Sequence, residues 1–170
     1  MPEAPAFNSI PTKILVPVDF SLSSRSALEM AADLADHFHA ELCLVHVIPM
    51  FTSSTLPDFV PETKFLEQGR KDAEGHFAAV TSDLASKGIK VSSCVEEGND
   101  VASNIMEVVD REHADFIVIS THGLTGWHPL VFGSIAEKVV KLAQCPLLLL
   151  RSAKPETSAK VRSDRLMEWW

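Results

Sequence analysis

A chain of 170 residues, 46% hydrophobic and 22% charged, has the size and composition of one domain that buries its own core without metals or disulfides. Three cysteines, Cys43, Cys94 and Cys145, form an odd set without CxxC spacing, which suggests neither a disulfide framework nor a zinc site and fits a reducing cytoplasm. A formal charge of -8 with no basic run argues against nucleic-acid binding. No secretory signal is visible and no apolar run reaches the roughly 18 to 20 residues that span a bilayer, so a soluble cytoplasmic protein with no membrane association is expected.

Residues 1–12, with Pro2, Pro5 and Pro11, read as an N-terminal arm, 13–151 as the domain and 152–170 as a polar C-terminal tail ending in Trp169 and Trp170. Lys13 to Val18 is a short, β-branched apolar run with the length of a buried strand. After Asp19, Ser21 or Ser23 caps a helix whose Ala27, Leu28, Ala31, Leu34, Ala35 and Phe38 recur every three or four residues. Glu41 to Ile48 is a second strand, closed by Pro49. Met50 to Pro61 shows no helical or strand period and reads as a packed surface loop or a lid.

A helix is predicted from Glu62 to Ser86, ended by Lys87-Gly88. Ile89 to Glu96 alternates as a third strand, more polar than the others and therefore nearer an edge. Gly98-Asn99-Asp100 opens a helix with Val101, Ile105, Val108 and Val109 on one face. Asp115 to Ser120 is a fourth strand, Ser134 opens a fourth helix, and Pro146 to Leu150 is a fifth strand. Strict alternation of strand and helix predicts an α/β fold, a doubly wound five-stranded parallel sheet with helices on both faces. In such sheets ligands bind outside the carboxyl ends of the strands, where strand order reverses. The two unusual junctions are Pro17-Val18-Asp19 and Ser120-Thr121-His122-Gly123, and the loop holding Gly123, Gly126 and Gly133 runs into a helix N-terminus, which favours anions.

The segments ILVPVDF, LVHVI and THG, then nine residues and GSIAEKVVKLAQCPLLLL, together resemble the universal stress protein (UspA-like) family over about Lys13 to Arg151. In its nucleotide-binding branch the motif is GxxG, nine residues, then G followed by Ser or Thr; it stands here as Ser120-x-x-Gly123 and Gly133-Ser134. The resemblance implies the adenine-nucleotide α-hydrolase-like fold with strand order 3-2-1-4-5, ATP as ligand with Mg2+ as a candidate companion, and a homodimer through the last strand, Leu147 to Leu150. Carried over by position, Pro17, Val18 and Asp19 border adenine and ribose, and Val47 contacts adenine through its backbone. Ser120, His122 and Gly123 line ribose and phosphate, while Gly133, Ser134 and Ile135 hold phosphate; Ile119 is counted among the binding residues.

Two departures stand out. Ser120 replaces the first motif glycine, which matters if that backbone takes positive φ and is harmless if it is extended. Leu124 follows the second motif glycine where many relatives carry Arg or Lys, and no Lys or Arg occurs from Thr121 to Ser134. A triphosphate held there would therefore lean on backbone N–H groups, Ser134, His122 or His128, and a cation. Asp19 reads as a ribose acceptor, a water-mediated Mg2+ holder or a cap of the first helix, and His46 as a satisfied core histidine. No GxSxG, HExxH or P-loop motif is present, so ATP hydrolysis is expected to be slow at most. The expected function is an ATP-binding regulatory stress protein with an unidentified protein partner. The alternative is a dimeric interaction module of the same family that does not bind ATP, and a third, weaker reading is an enzyme of the wider nucleotide-hydrolase group.

Overall fold

The computed structural model describes residues 10–50, 62–121 and 133–151. Within them lie β1 (Lys13–Pro17), α1 (Leu22–Phe38), β2 (Glu41–Pro49), α2 (Glu62–Ser86), β3 (Val91–Gly98), α3 (Val101–Glu112), β4 (Phe116–Ser120), α4 (Ser134–Leu142) and β5 (Leu147–Leu150). All strand pairs are parallel and the order is β3-β2-β1-β4-β5. The alternation read from the sequence thus folds as a doubly wound sheet with β3 and β5 at its edges. The N-terminal arm up to residue 9, the connection after Met50 and the C-terminal tail lie outside the described residues.

Because strand side chains alternate between faces, each central strand feeds two cores. Ile14, Val16, Leu42, Leu44 and Val118 pack with Leu28, Ala31, Phe77 and Val80 of α1 and α2. Leu15, Cys43, Val45, Ile117 and Ile119 pack on the opposite face with Ile105, Val108, Ala136 and Val139 of α3 and α4. Each fully buried Leu or Ile contributes about 1.5–3 kcal/mol from apolar burial, which is why the buried middles of β1, β2 and β4 are apolar while the edge strand β3 is polar.

The helix ends follow local rules. Ser21 caps α1, its Oγ accepting from Ser24 N at 3.1 Å. Gly88, at φ +85°, closes α2, and Ile89 N donates to Leu84 O at 3.1 Å. The α1 and α3 termini use His instead: His39 and His113 take left-handed φ of 55° and 54°, and the N–H groups of the following Ala40 and Ala114 donate to Ala35 O and Val109 O. The third strand begins two residues later than expected. Ile89 is spent on the helix closure, and the pairing instead runs on to Gly98 opposite Pro49. A side chain at Gly98 would meet the Asn104 amide, its Oδ1 at 2.0 Å, so Asn104 of α3 rests on this strand end in space that a Cβ would take.

Asp115 ties the start of β1 to the start of β4. Its carboxylate accepts from Thr12 N at 3.0 Å, Thr12 Oγ1 at 2.6 Å and Lys13 N at 2.9 Å, while its own N–H donates to Lys13 O at 3.0 Å. Hydrogen bonds to a charged group are worth about 1.5–3 kcal/mol each, less when partly exposed. Replacing Asp115 by Ala is expected to destabilise the fold by about 2 kcal/mol, and Asp115→Asn by less. Urea unfolding of the two variants checks this; equal stability of Asp115→Ala and wild type would refute the role.

Candidate functional site

At the carboxyl ends of β1, β2 and β4, strands of unequal length leave a cavity of about 480 Å³. β1 ends at Pro17, opposite Val45, whereas β2 runs on to Pro49. Val18 N still donates to Val45 O at 2.8 Å, so that carbonyl points toward β1. Two residues further, alternation turns the N–H and C=O of Val47 to the same side, where β1 has already left the sheet. A stretch of β2 backbone edge thus faces the cavity. The side chains of Val45, Val101, Ile105 and Ile119 supply an apolar wall.

The β1–α1 turn forms the next wall. Phe20 adopts a left-handed φ of 61°, a conformation costing a bulky residue about 1–2 kcal/mol. Its ring is held at centroid distances of 4.7 Å from His46, 4.9 Å from His76 and 5.6 Å from Phe77. Asp19 Oδ1 accepts from Ser21 N at 3.0 Å and from Ser21 Oγ at 2.6 Å, and the same Ser21 caps α1. Asp19 therefore braces the helix cap and lines the cavity at once; the cap itself is Ser21, not Asp19.

His46 is half-buried, and its Nδ1 donates to Val18 O at 2.7 Å. That bond fixes the tautomer and pins the end of β1 against β2. Burial pushes the imidazole below its ordinary 6.5, against the raising pull of the Val18 carbonyl and of Asp19. His46 is thus satisfied by a backbone partner but only partly buried, and the residue lines the cavity.

The third wall comes from β4 and α4. Ser120 is the last residue of β4, paired with Leu150, and its φ is not among the positive ones. The backbone there is extended, so replacing the motif glycine by Ser strains nothing. Thr121, buried, donates its N–H to Leu150 O and accepts from Gly133 N, both at 2.8 Å. Gly133 is the N-cap of α4 and makes no side-chain cap. With Ser134 and Ile135 it brings the first turn of α4, and its positive dipole end, to the cavity mouth.

Of the residues predicted from the sequence, Pro17, Val18, Asp19, Val47, Ile119, Ser120, Gly133, Ser134 and Ile135 all line this one cavity. His122 and Gly123 lie outside the described residues, as do Gly126, Trp127, His128, Leu130 and Phe132. Sequence reasoning missed Ser24, Val45, His46, Pro49, Val101, Ile105, Thr121 and Ala136 as lining residues. The signal for Val101 and Ile105 was their place just after the third strand, whose end abuts the same gap. Among the described residues no group of three or more His, Cys, Asp or Glu could hold a metal, and no helix is long and apolar enough to cross a membrane.

The universal stress protein family model matches residues 11–151. Universal stress protein MJ0531 of Methanocaldococcus jannaschii is 31% identical over 144 residues, which cover 85% of this chain and 84% of that one. Among solved structures, the universal stress protein UspA from Lactobacillus plantarum superposes with a TM-score of 0.75 at 23% identity, over 85% of this chain and all of that one. A universal stress protein solved in complex with cAMP and one from Archaeoglobus fulgidus solved in complex with dAMP share the fold, with TM-scores of 0.57 and 0.55 at 19% and 20% identity, covering 84% and 82% of this chain and 98% of each of theirs.

The half-buried His46 makes a prediction about pH. A histidine held neutral in the fold but titrating normally when unfolded gives stability that is present above about pH 6.5 and declines as pH falls toward the depressed folded value. Urea midpoints at about pH 7.5 and about pH 5.5 should therefore separate more for wild type than for His46→Asn; equal separations would show that His46 does not contribute.

Proposed function

This chain belongs to the universal stress protein family, and from that premise we propose that it is an adenine-nucleotide-binding regulatory protein, with ATP the leading candidate ligand. The observation that carries the reading is a cavity at the point where strand order reverses, lined together by the β1 end, the β2 edge and the first turn of α4. The residues suit an adenine nucleotide. Val47 offers a backbone donor and acceptor for the base edge, with Pro17 and Val18 beside it and Ile105 and Ile119 against its faces. Asp19, an acceptor toward Ser21 that also lines the cavity, is the proposed acceptor for ribose hydroxyls. Ser134 and the N–H groups of the α4 first turn take phosphate, with Ser120, His122 and Gly123 completing the set by sequence position. Family members solved with cAMP and dAMP support an adenine ligand for this fold.

What ATP supplies when bound is a removable, highly charged occupant whose presence alters the surface that a protein partner meets. The chain's own part is to bind and orient it. Turnover is proposed to be slow at most, since the described lining contains no Lys or Arg to stabilise a transferring phosphoryl group. That same missing cation, with Leu124 after Gly123, is what favours the second reading, an interaction module that binds no nucleotide.

Denaturing the purified protein and identifying the released nucleotide by chromatography separates the two readings. Near one adenine nucleotide per chain is expected; protein without nucleotide that also gives no calorimetric response to ATP, ADP or AMP would sink the first. Asp19→Ala should weaken binding by about tenfold, the equivalent of one hydrogen bond to a charged group.

We also propose a homodimer through β5. This edge strand is four consecutive leucines, all only partly buried, and an apolar edge of that kind invites pairing with another strand. Light scattering on the eluting protein is expected to give twice the 18.6 kDa chain mass; a single-chain mass across the micromolar range would end the proposal.

A further inference from the structure

Lys138 stands one helical turn beyond Ser134 on α4, and its Nζ lies 3.3 Å from Oδ2 of Asp100, the N-cap residue of α3. Long helical side chains lean toward the N-terminus of their helix, so the Lys138 ammonium is carried back toward the end of α4 that opens on the cavity. The partner carboxylate belongs to the residue just before Val101, itself a cavity wall. The pair therefore links the opening ends of the two helices that flank the site. Its position matters because the described cavity lining contains no Lys or Arg, and the sequence has none from Thr121 to Ser134. Phosphate inside is offered N–H groups, hydroxyls and a helix dipole; Lys138 and Asp100 are not lining residues but adjoin them, one turn after Ser134 and one residue before Val101.

Resting on the nucleotide reading of the cavity, we infer that Lys138 is a specificity-determining residue that exchanges Asp100 for the outer phosphates of the ligand, so that this pair grades affinity by phosphate number. Both side chains are about half exposed, 58% for Lys138 and 47% for Asp100, and an ion pair so open to water is weakly held. A polyphosphate carries several charges and more acceptor oxygens than one carboxylate, so it competes well for the ammonium. Asp100 works in the opposite sense: left beside the lining, its charge repels the same phosphates. A nucleoside has nothing that extends from the α4 first turn to this pair and is indifferent to both residues.

Calorimetric titration of the full chain with adenosine and with ATP, each with Mg2+ present, tests this on Lys138→Met and Asp100→Asn, with melting temperatures recorded for both. ATP affinity is expected to fall about 5- to 10-fold in Lys138→Met and to rise several-fold in Asp100→Asn, while adenosine affinity stays within about twofold. A pair that merely staples α3 to α4 would instead shift both ligands alike, in the same direction for both variants, together with the melting temperature, and that result overturns the inference while leaving the nucleotide reading standing. Wild-type protein that binds adenosine but gains nothing from the phosphates of ATP overturns it equally. If wild type binds neither ligand, the nucleotide reading falls and this inference with it.

Discussion

The difference in length between β1 and β2 is the constraint on which the site depends. β1 turns away after Pro17, and β2 continues through Val47 to Pro49 with β3 still paired beside it. Had the two strands ended together, the Val47 backbone would be consumed in the sheet ladder and no gap would open at the place where strand order reverses. Pro49 shows how the extension is tolerated. By alternation its nitrogen lies on the β1 side, where no ladder bond is required, so a residue without an N–H can end the strand there. The left-handed turn at Phe20, the brace from Asp19 to Ser21 and the His46 bond to Val18 all hold β1 in its early departure.

Much of this was legible in the residues. Central strands buried on both faces read as continuous apolar runs, and amphipathic helices repeat every three or four residues; those periods placed nine elements in order, and two of the helix boundaries came from Ser21 and Gly88, whose chemistry is diagnostic. What stayed hidden depended on partners distant in sequence. His39 and His113 as left-handed helix ends carry no compositional signal, because the conformation is imposed by the buried Ala that follows each. The start of β3 shifted because Ile89 serves the preceding helix. Phe20 gives no local warning of positive φ; its stacking partners lie on β2 and α2.

The candidate site was legible where a motif coincided with a strand end, as at Pro17-Val18-Asp19 and Gly133-Ser134. It was less so where packing alone contributes, as with Val101 and Ile105. Ser120 is the instructive position. From sequence its effect could only be stated as a choice between strained and extended backbone, because a glycine in a motif does not reveal which of its properties is in use. Pairing with Leu150 settles the choice in favour of extension, and the serine then adds a hydroxyl without conformational cost. The charge deficit of the loop is different in kind: it is a property of composition, visible at once, whereas the pairing of Lys138 on α4 with Asp100 on α3 is recognisable only after folding.

The bond from Gly133 N to Thr121 O ties the last residue of one wall to the first of another. Both partners are main-chain atoms, so the spacing between the end of β4 and the first turn of α4 is set by backbone geometry and not by the side chains that stand there. Two walls of the cavity are thus fixed to each other directly, and side chains at this junction can change what the cavity admits without changing how far apart those walls stand.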